Sequence, residues 1–243
     1  MNEKVAIILN GFRRNHTLRE QVEAIKTQSH KNCTLMYWQN TLHGVGYDLS
    51  PLFENGAEVA ISNKNYGVWS RFAYSLNARA DYICIIDDDT IPGNRWIENC
   101  LKTHETNPGL LGTIGLVFKE NSYNPKRRIG WDQNNSTIEQ ADIVGHNWFF
   151  HRDLLSVFWR ELPPITDTFL VGEDIHFSHM IQKYTTLKTW VPPHPTDDKS
   201  LWGSINALKY GTDGNATANF AVPMMGEFLK RSISQGFRLM ESN

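Results

Sequence analysis

Apolar positions along the chain fall into short runs separated by polar stretches. Residues 5–9 form an uninterrupted run rich in β-branched side chains, the pattern of a strand buried on both faces. Thr17-Leu18-Arg19-Glu20 has the spacing of a capping box and predicts a helix with Leu18, Val22 and Ile25 on one face. Runs at 34–38 and 57–61 predict second and third strands, and a helix over 68–79 carries Phe72 and Leu76. A further strand, 81–86, runs directly into Asp87, Asp88 and Asp89. Pro92-Gly93 follows, and then a helix with Ile97, Cys100 and Leu101.

The second half alternates less regularly. Strands are expected at 110–118, 143–150 and 187–191, and helices at 153–159 and 173–184. The last of these helices spaces Phe177, Met180, Ile181 and Tyr184 along one face. Residues 121–140 are polar and predict a loop or edge strand, with Lys126, Arg127 and Arg128 as their charge run. From Ser200 the tail holds two helical stretches around a Gly/Asn-rich turn. Strand–helix alternation of this kind predicts an α/β fold with a mostly parallel central sheet.

Composition narrows the function classes. At 243 residues, 40% hydrophobic and 21% charged, the chain has ordinary globular composition. A formal net charge of −2 argues against a protein held mainly by a nucleic-acid backbone. Eight tryptophans beside many asparagines suit a surface that stacks on sugars or bases, though aromatics also build cores. The apolar run at the N-terminus is too short for a signal peptide, and no run approaches the ~20 residues of a membrane span. Three cysteines, Cys33, Cys84 and Cys100, lack C-x-x-C spacing, and Cys84 is expected to be a small buried hydrophobe. A reduced, cytoplasmic protein is expected. The N-x-S/T triplets at Asn15, Asn134 and Asn215 then count as chance.

The aspartates carry the first chemistry. In open α/β sheets ligands bind at the carboxyl ends of strands, which is where these three stand. Side chains alternate along extended backbone, so Asp87 and Asp89 can face one side and share a Mg2+ or Mn2+ ion. The bland alternative is an acidic turn capping the next helix.

A hydrophobic strand, D-x-D and Pro-Gly together resemble the GT-A glycosyltransferases. The loop Asn10-Gly11-Phe12-Arg13-Arg14, the segment Tyr37-Trp38-Gln39-Asn40, then Asn65, Arg71 and Asn77, and finally Gly172-Glu173-Asp174 are similar to family 2 and exostosin-like (family 64) enzymes. The resemblance covers about residues 4–195. It implies a single GT-A domain, with a nucleotide-sugar half at 1–92, an acceptor-facing half at 93–195 and a helical extension at 196–243. It also implies a nucleoside diphosphate sugar donor, a UDP-sugar being the expectation. Asn10, Phe12 and Arg13 would then contact base and ribose, Asn40 the base edge, and Asn65 the donor side. Arg71 would reach the diphosphate. Asp89 would bind the metal, Asp87 ribose or a metal-bound water, and Asp88 the donor beside them. A late histidine, His194, would complete the metal site.

By the same resemblance Asp174 is the general base, with Glu173 beside it at a helix N-terminus whose dipole favours ionised carboxylates. Two acids merely capping that helix are the alternative. Inverting and retaining enzymes both carry such a pair, so stereochemistry stays open. Trp148 would stack on a sugar face or pack in the core. His176 and His179 lack zincin spacing and are expected to be local polar residues.

Rival classes differ in their signatures. P-loop and G-x-G-x-x-G motifs are absent. A phosphohydrolase with Asp87 as nucleophile would want Thr or Val at position 91, where Ile91 stands. A noncatalytic nucleotide-sugar-binding protein could use the same scaffold. Processive synthases carry Q-x-x-R-W and membrane spans, so a single transfer to a soluble hydroxyl is expected. That acceptor could be a glycan, a protein, a small molecule or a hydroxylated nucleic-acid base.

Overall fold

A computed structural model describes residues 2–40, 48–119, 122–162, 170–212 and 221–240. β1 (Val5–Gly11) is buried along its length and pairs in parallel with β2 (Cys33–Gln39). Between them, α1 (Leu18–Lys26) lays Leu18, Val22 and Ile25 on the sheet as the pattern predicts. The capping box does not form. Thr17 is helical in backbone, and its hydroxyl donates instead to the carbonyls of Arg14 and Asp88.

α2 (Ser50–Glu54) leads into β3 (Glu58–Ile61), which adds in parallel outside β2. The helix expected over 68–79 is shorter. α3 (Ser70–Tyr74) tightens into a 3-10 turn at Ser75–Asn77, where Ser75 and Asn77 side chains bond the Phe72 and Tyr74 carbonyls. Phe72 is buried and Leu76 is exposed.

β4 (Tyr82–Ile86) pairs in parallel with β1. Ile83 and Ile85 enter the core on one face of the sheet, and Cys84 and Ile86 enter the core on the other. Alternate residues thus bury on opposite sides, which is why the run carries no polar position. Each such side chain contributes about 1.5–3 kcal/mol. All three cysteines are free.

After α4 (Trp96–Thr106), two runs that read as single strands each break in two. The first gives β5 (Gly109–Leu111) and β6 (Ile114–Phe118). The polar stretch that follows supplies β7 (Pro125–Gly130) and the two-residue β8 (Glu139–Gln140). The second run gives β9 (Ile143–Gly145) and β10 (Asn147–His151), separated by His146 at φ 65°. β6, β7 and β9 form a separate antiparallel sheet of three strands. The close approach is visible at Gly112, where a Cβ would sit 2.6 Å from that of Val144.

α5 (Leu154–Phe158), α6 (Glu173–Tyr184) and β11 (Lys188–Val191) complete the frame. The main sheet has eight strands in the order β3-β2-β1-β4-β10-β5-β11-β8, most of its pairs parallel, with helices on both faces. The tail forms a 3-10 turn at Lys199–Leu201, α7 (Ala207–Tyr210) and α8 (Val222–Ser234). Ala207, Leu229, Phe237 and Leu239 bury against Ile114, Phe118, Ile143 and Ile175 of the small sheet and α6. Among the described residues no helix is long and apolar enough to cross a membrane.

Candidate active site

At the carboxyl end of β4 the three aspartates divide by direction. Asp88 turns inward: its Oδ2 accepts the Phe12 N–H at 3.0 Å and its Oδ1 the Arg14 guanidinium at 2.8 Å. Burial, reinforced by neighbouring Asp89, pushes its carboxyl up to about 7. Gln21 on α1 donates to the carbonyls of Asp87 and Thr90, so that helix clamps the acid loop from below.

Asp87 and Asp89 face the other way, toward His146. The His146 Nδ1 lies 3.9 Å from Asp87 Oδ2 and 3.6 Å from Asp89 Oδ1. One ligand atom from each of the three lies within 4.8 Å of the others. The His146 Nδ1 is buried and has no hydrogen-bond partner. Burial opposes charge on Asp89, but the His146 ring and Arg14 outweigh it and hold the carboxyl down to about 2. Two carboxylate oxygens and the His146 Nδ1, which lies 3.6 Å from Asp89 Oδ1 and beyond good hydrogen-bond length, fit a divalent cation once the imidazole is neutral. The mixed oxygen and nitrogen set suits Mn2+ at least as well as Mg2+.

Arg71, 3% exposed, stands between this group and the start of α6. Its Nη1 bonds Asp87 Oδ1 and its Nη2 bonds Glu173 Oε1 at 2.5 Å. The guanidinium lies 4.5 Å above the Trp148 ring. Both Nη atoms therefore hold carboxylates rather than pointing free toward a diphosphate. Trp148 is buried under Arg71 and edge-on to Phe72, with its Nε1–H donating to Val144. It serves as floor beneath Arg71.

Gly172, at φ 95°, turns the chain into α6, where the Phe228 ring of α8 covers it. Glu173 is buried, and desolvation raises its carboxyl to about 7 against the pull of Arg71. Asp174 is half-buried and also raised by burial, while the Ile175 N–H at 2.7 Å works the other way. The expectation that the helix terminus keeps both acids fully ionised is thus offset by desolvation. A raised carboxylate holds a proton better, which suits a general base.

Across the acids, Asn10, Phe12, Asn40 and Asn65 line the same cleft of about 400 Å³. Asn10 is buried and its Oδ1 has no partner. Asn40 and Asn65 form a latch: Asn40 Nδ2 donates to Asn65 Oδ1 at 2.8 Å, and Asn40 Oδ1 accepts the Tyr66 N–H at 2.8 Å. Their side chains shape the 65–67 turn.

Two expected residues stand apart. Arg13 is exposed at φ 69°, stacked over Phe12 at 4.9 Å, and it is Arg14 that meets the acids. His194 is fully buried. Its Nδ1 pairs with the Pro192 carbonyl, while Nε2 accepts the Gly203 N–H and meets the Thr113 hydroxyl. Both ring nitrogens are committed away from the cleft, so the histidine beside the aspartates is His146. Tyr123, Trp131 and Met225 also line the cleft and carry no motif in the sequence; the Trp131 ring lies beside His146, centroids 5.7 Å apart. Of the eight tryptophans the sequence singles out Trp148, which does line the cleft, while nothing in the local pattern marks Trp131, which lines it as well.

No protein-family model and no curated protein matches this chain. Solved structures do. TarS of S. aureus, residues 1–349, aligns at TM-score 0.57 with 11% identity over 78% of this chain and 58% of that one. The same fragment in complex with UDP aligns at TM-score 0.58 and 12% identity, with the same coverage of both chains. The present chain thus spans somewhat over half of the TarS fragment. Mannosyltransferase PcManGT from Pyrobaculum calidifontis, in complex with GDP-Man and Mn2+, aligns at TM-score 0.52 and 17% identity. It covers 96% of this chain and 74% of that one. The shared frame is GT-A-like: a large, mostly parallel sheet flanked by helices.

Proposed function

We propose that the protein is a metal-dependent glycosyltransferase that moves a sugar from a nucleoside diphosphate sugar to an acceptor hydroxyl. One observation carries the reading. The Asp87, Asp89 and His146 ligand group and the half-buried Asp174 carboxylate line a single cleft on a GT-A-like frame. The similar structures held UDP in one case and GDP-Man with Mn2+ in another, which supports a nucleotide-sugar donor. A UDP-sugar is our first choice. Closer kinship with family 2 or exostosin-like enzymes is proposed on the motifs that carry the resemblance, from the Asn10–Arg14 loop through Asn40, Asn65, Arg71 and the acid loop to Gly172-Glu173-Asp174.

In this reading Asn10 and Phe12 hold base and ribose, in the cleft that the 65–67 turn shaped by the Asn40–Asn65 latch also lines. Asp87, Asp89 and His146 hold a divalent cation, which would supply Lewis-acid stabilisation of the leaving diphosphate. Asp174 takes the proton from the acceptor hydroxyl as it attacks the anomeric carbon. Tyr123, Trp131 and Met225, which also line the cleft, are assigned to the acceptor in this reading. A single transfer fits a cleft with no accompanying membrane-crossing helix among the described residues. A phosphohydrolase with Asp87 as nucleophile is disfavoured, because one of its oxygens pairs with Arg71 and the other faces His146.

The test is Asp174→Asn, assayed by nucleotide release from a panel of UDP- and GDP-sugars with Mn2+. Turnover should fall by about 10²–10⁴-fold, the usual worth of a general base, while donor affinity stays within a few-fold of wild type. Undiminished turnover would remove Asp174 as the base. Failure of every donor to bind would remove the glycosyltransferase reading itself.

A further inference from the structure

Arg71 occupies a position that the proposed reaction leaves unexplained. It is buried on α3, far in sequence from α6, yet its two Nη atoms bind carboxylates belonging to opposite halves of the cleft. The division of the Asp87 oxygens is specific. Oδ1 pairs with Arg71, and Oδ2 is the atom that faces His146. A carboxylate held by one oxygen can swing about its Cβ–Cγ bond only as far as its partner allows. Arg71 therefore aims Oδ2 at the cation position.

On the other side the same guanidinium fixes Glu173 Oε1, one residue from Asp174. The planar fork makes this possible, since two donors in fixed relation can serve two acceptors at once. Trp148 beneath and Phe72 alongside prevent the guanidinium from tilting.

Resting on the proposed function above, we infer that Arg71 is a positioning residue that couples the cation site to the base. It sets the metal-facing oxygen of Asp87 and the Glu173–Asp174 start of α6 through one rigid side chain. The charges make the coupling directional. Glu173 shares the positive charge of Arg71. Without that share the guanidinium draws harder on Asp87 and repels a nearby cation more strongly. Glu173 thus supports metal binding without touching the metal.

The test measures Mn2+ affinity by the EPR signal of free Mn2+, which does not depend on turnover. Wild type, Glu173→Gln, Arg71→Lys and the double variant are compared, each with a melting curve to establish folding. Glutamine can accept the same bond, so Glu173→Gln should fold and bind Mn2+ at least about 5-fold more weakly, the lower end of ordinary site–site coupling. Arg71→Lys offers a point charge that cannot span both acids, and should weaken Mn2+ by about 10–100-fold, as loss of a ligand-orienting group does. In the lysine background Glu173→Gln should then change affinity less than about 2-fold, by the logic of a double-mutant cycle.

Wild-type Mn2+ affinity in Glu173→Gln would overturn the inference, and so would independent, multiplying effects in the double variant. The latter would mean that Glu173 acts through space rather than through Arg71. Should Arg71→Lys fail to fold, Glu173→Gln alone decides. A wild-type protein that binds no Mn2+ would instead strike the proposed function.

Discussion

Gly172→Ala is a severe perturbation for a single methyl group. Gly172 sits at φ 95°, ψ 0°, a backbone conformation that L-residues avoid at a cost of about 1–2 kcal/mol. The added Cβ would also lie 2.5 Å from Cδ2 and 2.6 Å from Cε2 of Phe228. That ring is held against Trp69 with centroids 6.1 Å apart, so it cannot simply rotate away. Overpacking of this kind adds about 1–3 kcal/mol. The two terms together give about 2–5 kcal/mol. For a chain of this size each kcal/mol moves Tm by about 2–4 °C, so a fall on the order of 10 °C is expected.

The two terms can be separated. Phe228→Leu shortens the ring that the methyl meets but leaves the backbone strain in place. The double variant should therefore lose at least about 1 kcal/mol less than the two singles added together. Circular-dichroism melts and guanidinium titrations of all four proteins supply the cycle. Turnover adds an independent readout, because Gly172 aims Glu173 and Asp174, and a shift of about 1 Å at a catalytic group can cost ~10²-fold. A Gly172→Ala protein melting within 2 °C of wild type, or strict additivity with Phe228→Leu, would refute the packing of α8 on the entrance to α6.

Three further outcomes are expected. His146→Ala should weaken Mn2+ by more than about 10-fold by EPR, as loss of one of three ligands would, whereas His194→Gln should leave Mn2+ affinity intact. Burial depresses the His194 ring to about 4 from the ordinary 6.5 of a histidine, so the folded state excludes its proton while the unfolded chain takes one up. Stability from this group is present above pH 6.5 and lost as pH falls toward 4. Wild type should therefore give up about 2 kcal/mol more than His194→Gln between pH 7 and pH 5, measured by urea titration. Arg14→Met leaves the buried Asp88 carboxyl with the Phe12 N–H and free to take up a proton, and should cost about 1–3 kcal/mol, while Arg13→Ala should change stability by less than about 0.5 kcal/mol.

The sequence showed the frame more clearly than the site. Residues 5–9 and 82–86 are apolar throughout because both of their faces are covered, and that pattern needs no tertiary knowledge to see. The Glu173–Tyr184 helix emerged with its bounds intact, since its apolar face repeats at helical spacing. The runs 110–118 and 143–150 misled, because hydrophobicity marks a buried strand without saying which sheet receives it. Arg13 and Arg14 are indistinguishable as a dipeptide. The φ of 69° at Arg13 rotates the chain so that the second arginine, not the first, meets the acids. His194 was visible among its prolines, but nothing in a local pattern reports that Thr113 and Gly203, distant in sequence, take up its Nε2.

The breaks that hid those elements also build the site. Among the described residues, three non-glycine positions have positive φ: Arg13, Trp131 and His146. Two of them, Trp131 and His146, line the cleft, and Arg13 directly precedes Arg14, which does. His146 marks the step from the small sheet into the main one, so its side chain turns back over the carboxyl end of β4 instead of continuing the strand's alternation. A regular strand through 143–150 would put residues 145 and 147 on one face and 146 on the other, with no reason for an imidazole to reach the aspartates. Left-handed backbone at a histidine or tryptophan is costly and persists only where the surroundings fix it. Its recurrence around one cleft supports the candidate site and is something periodicity cannot encode. In this chain the pattern points to the acids, and the departures from it bring Arg14 and His146 to them.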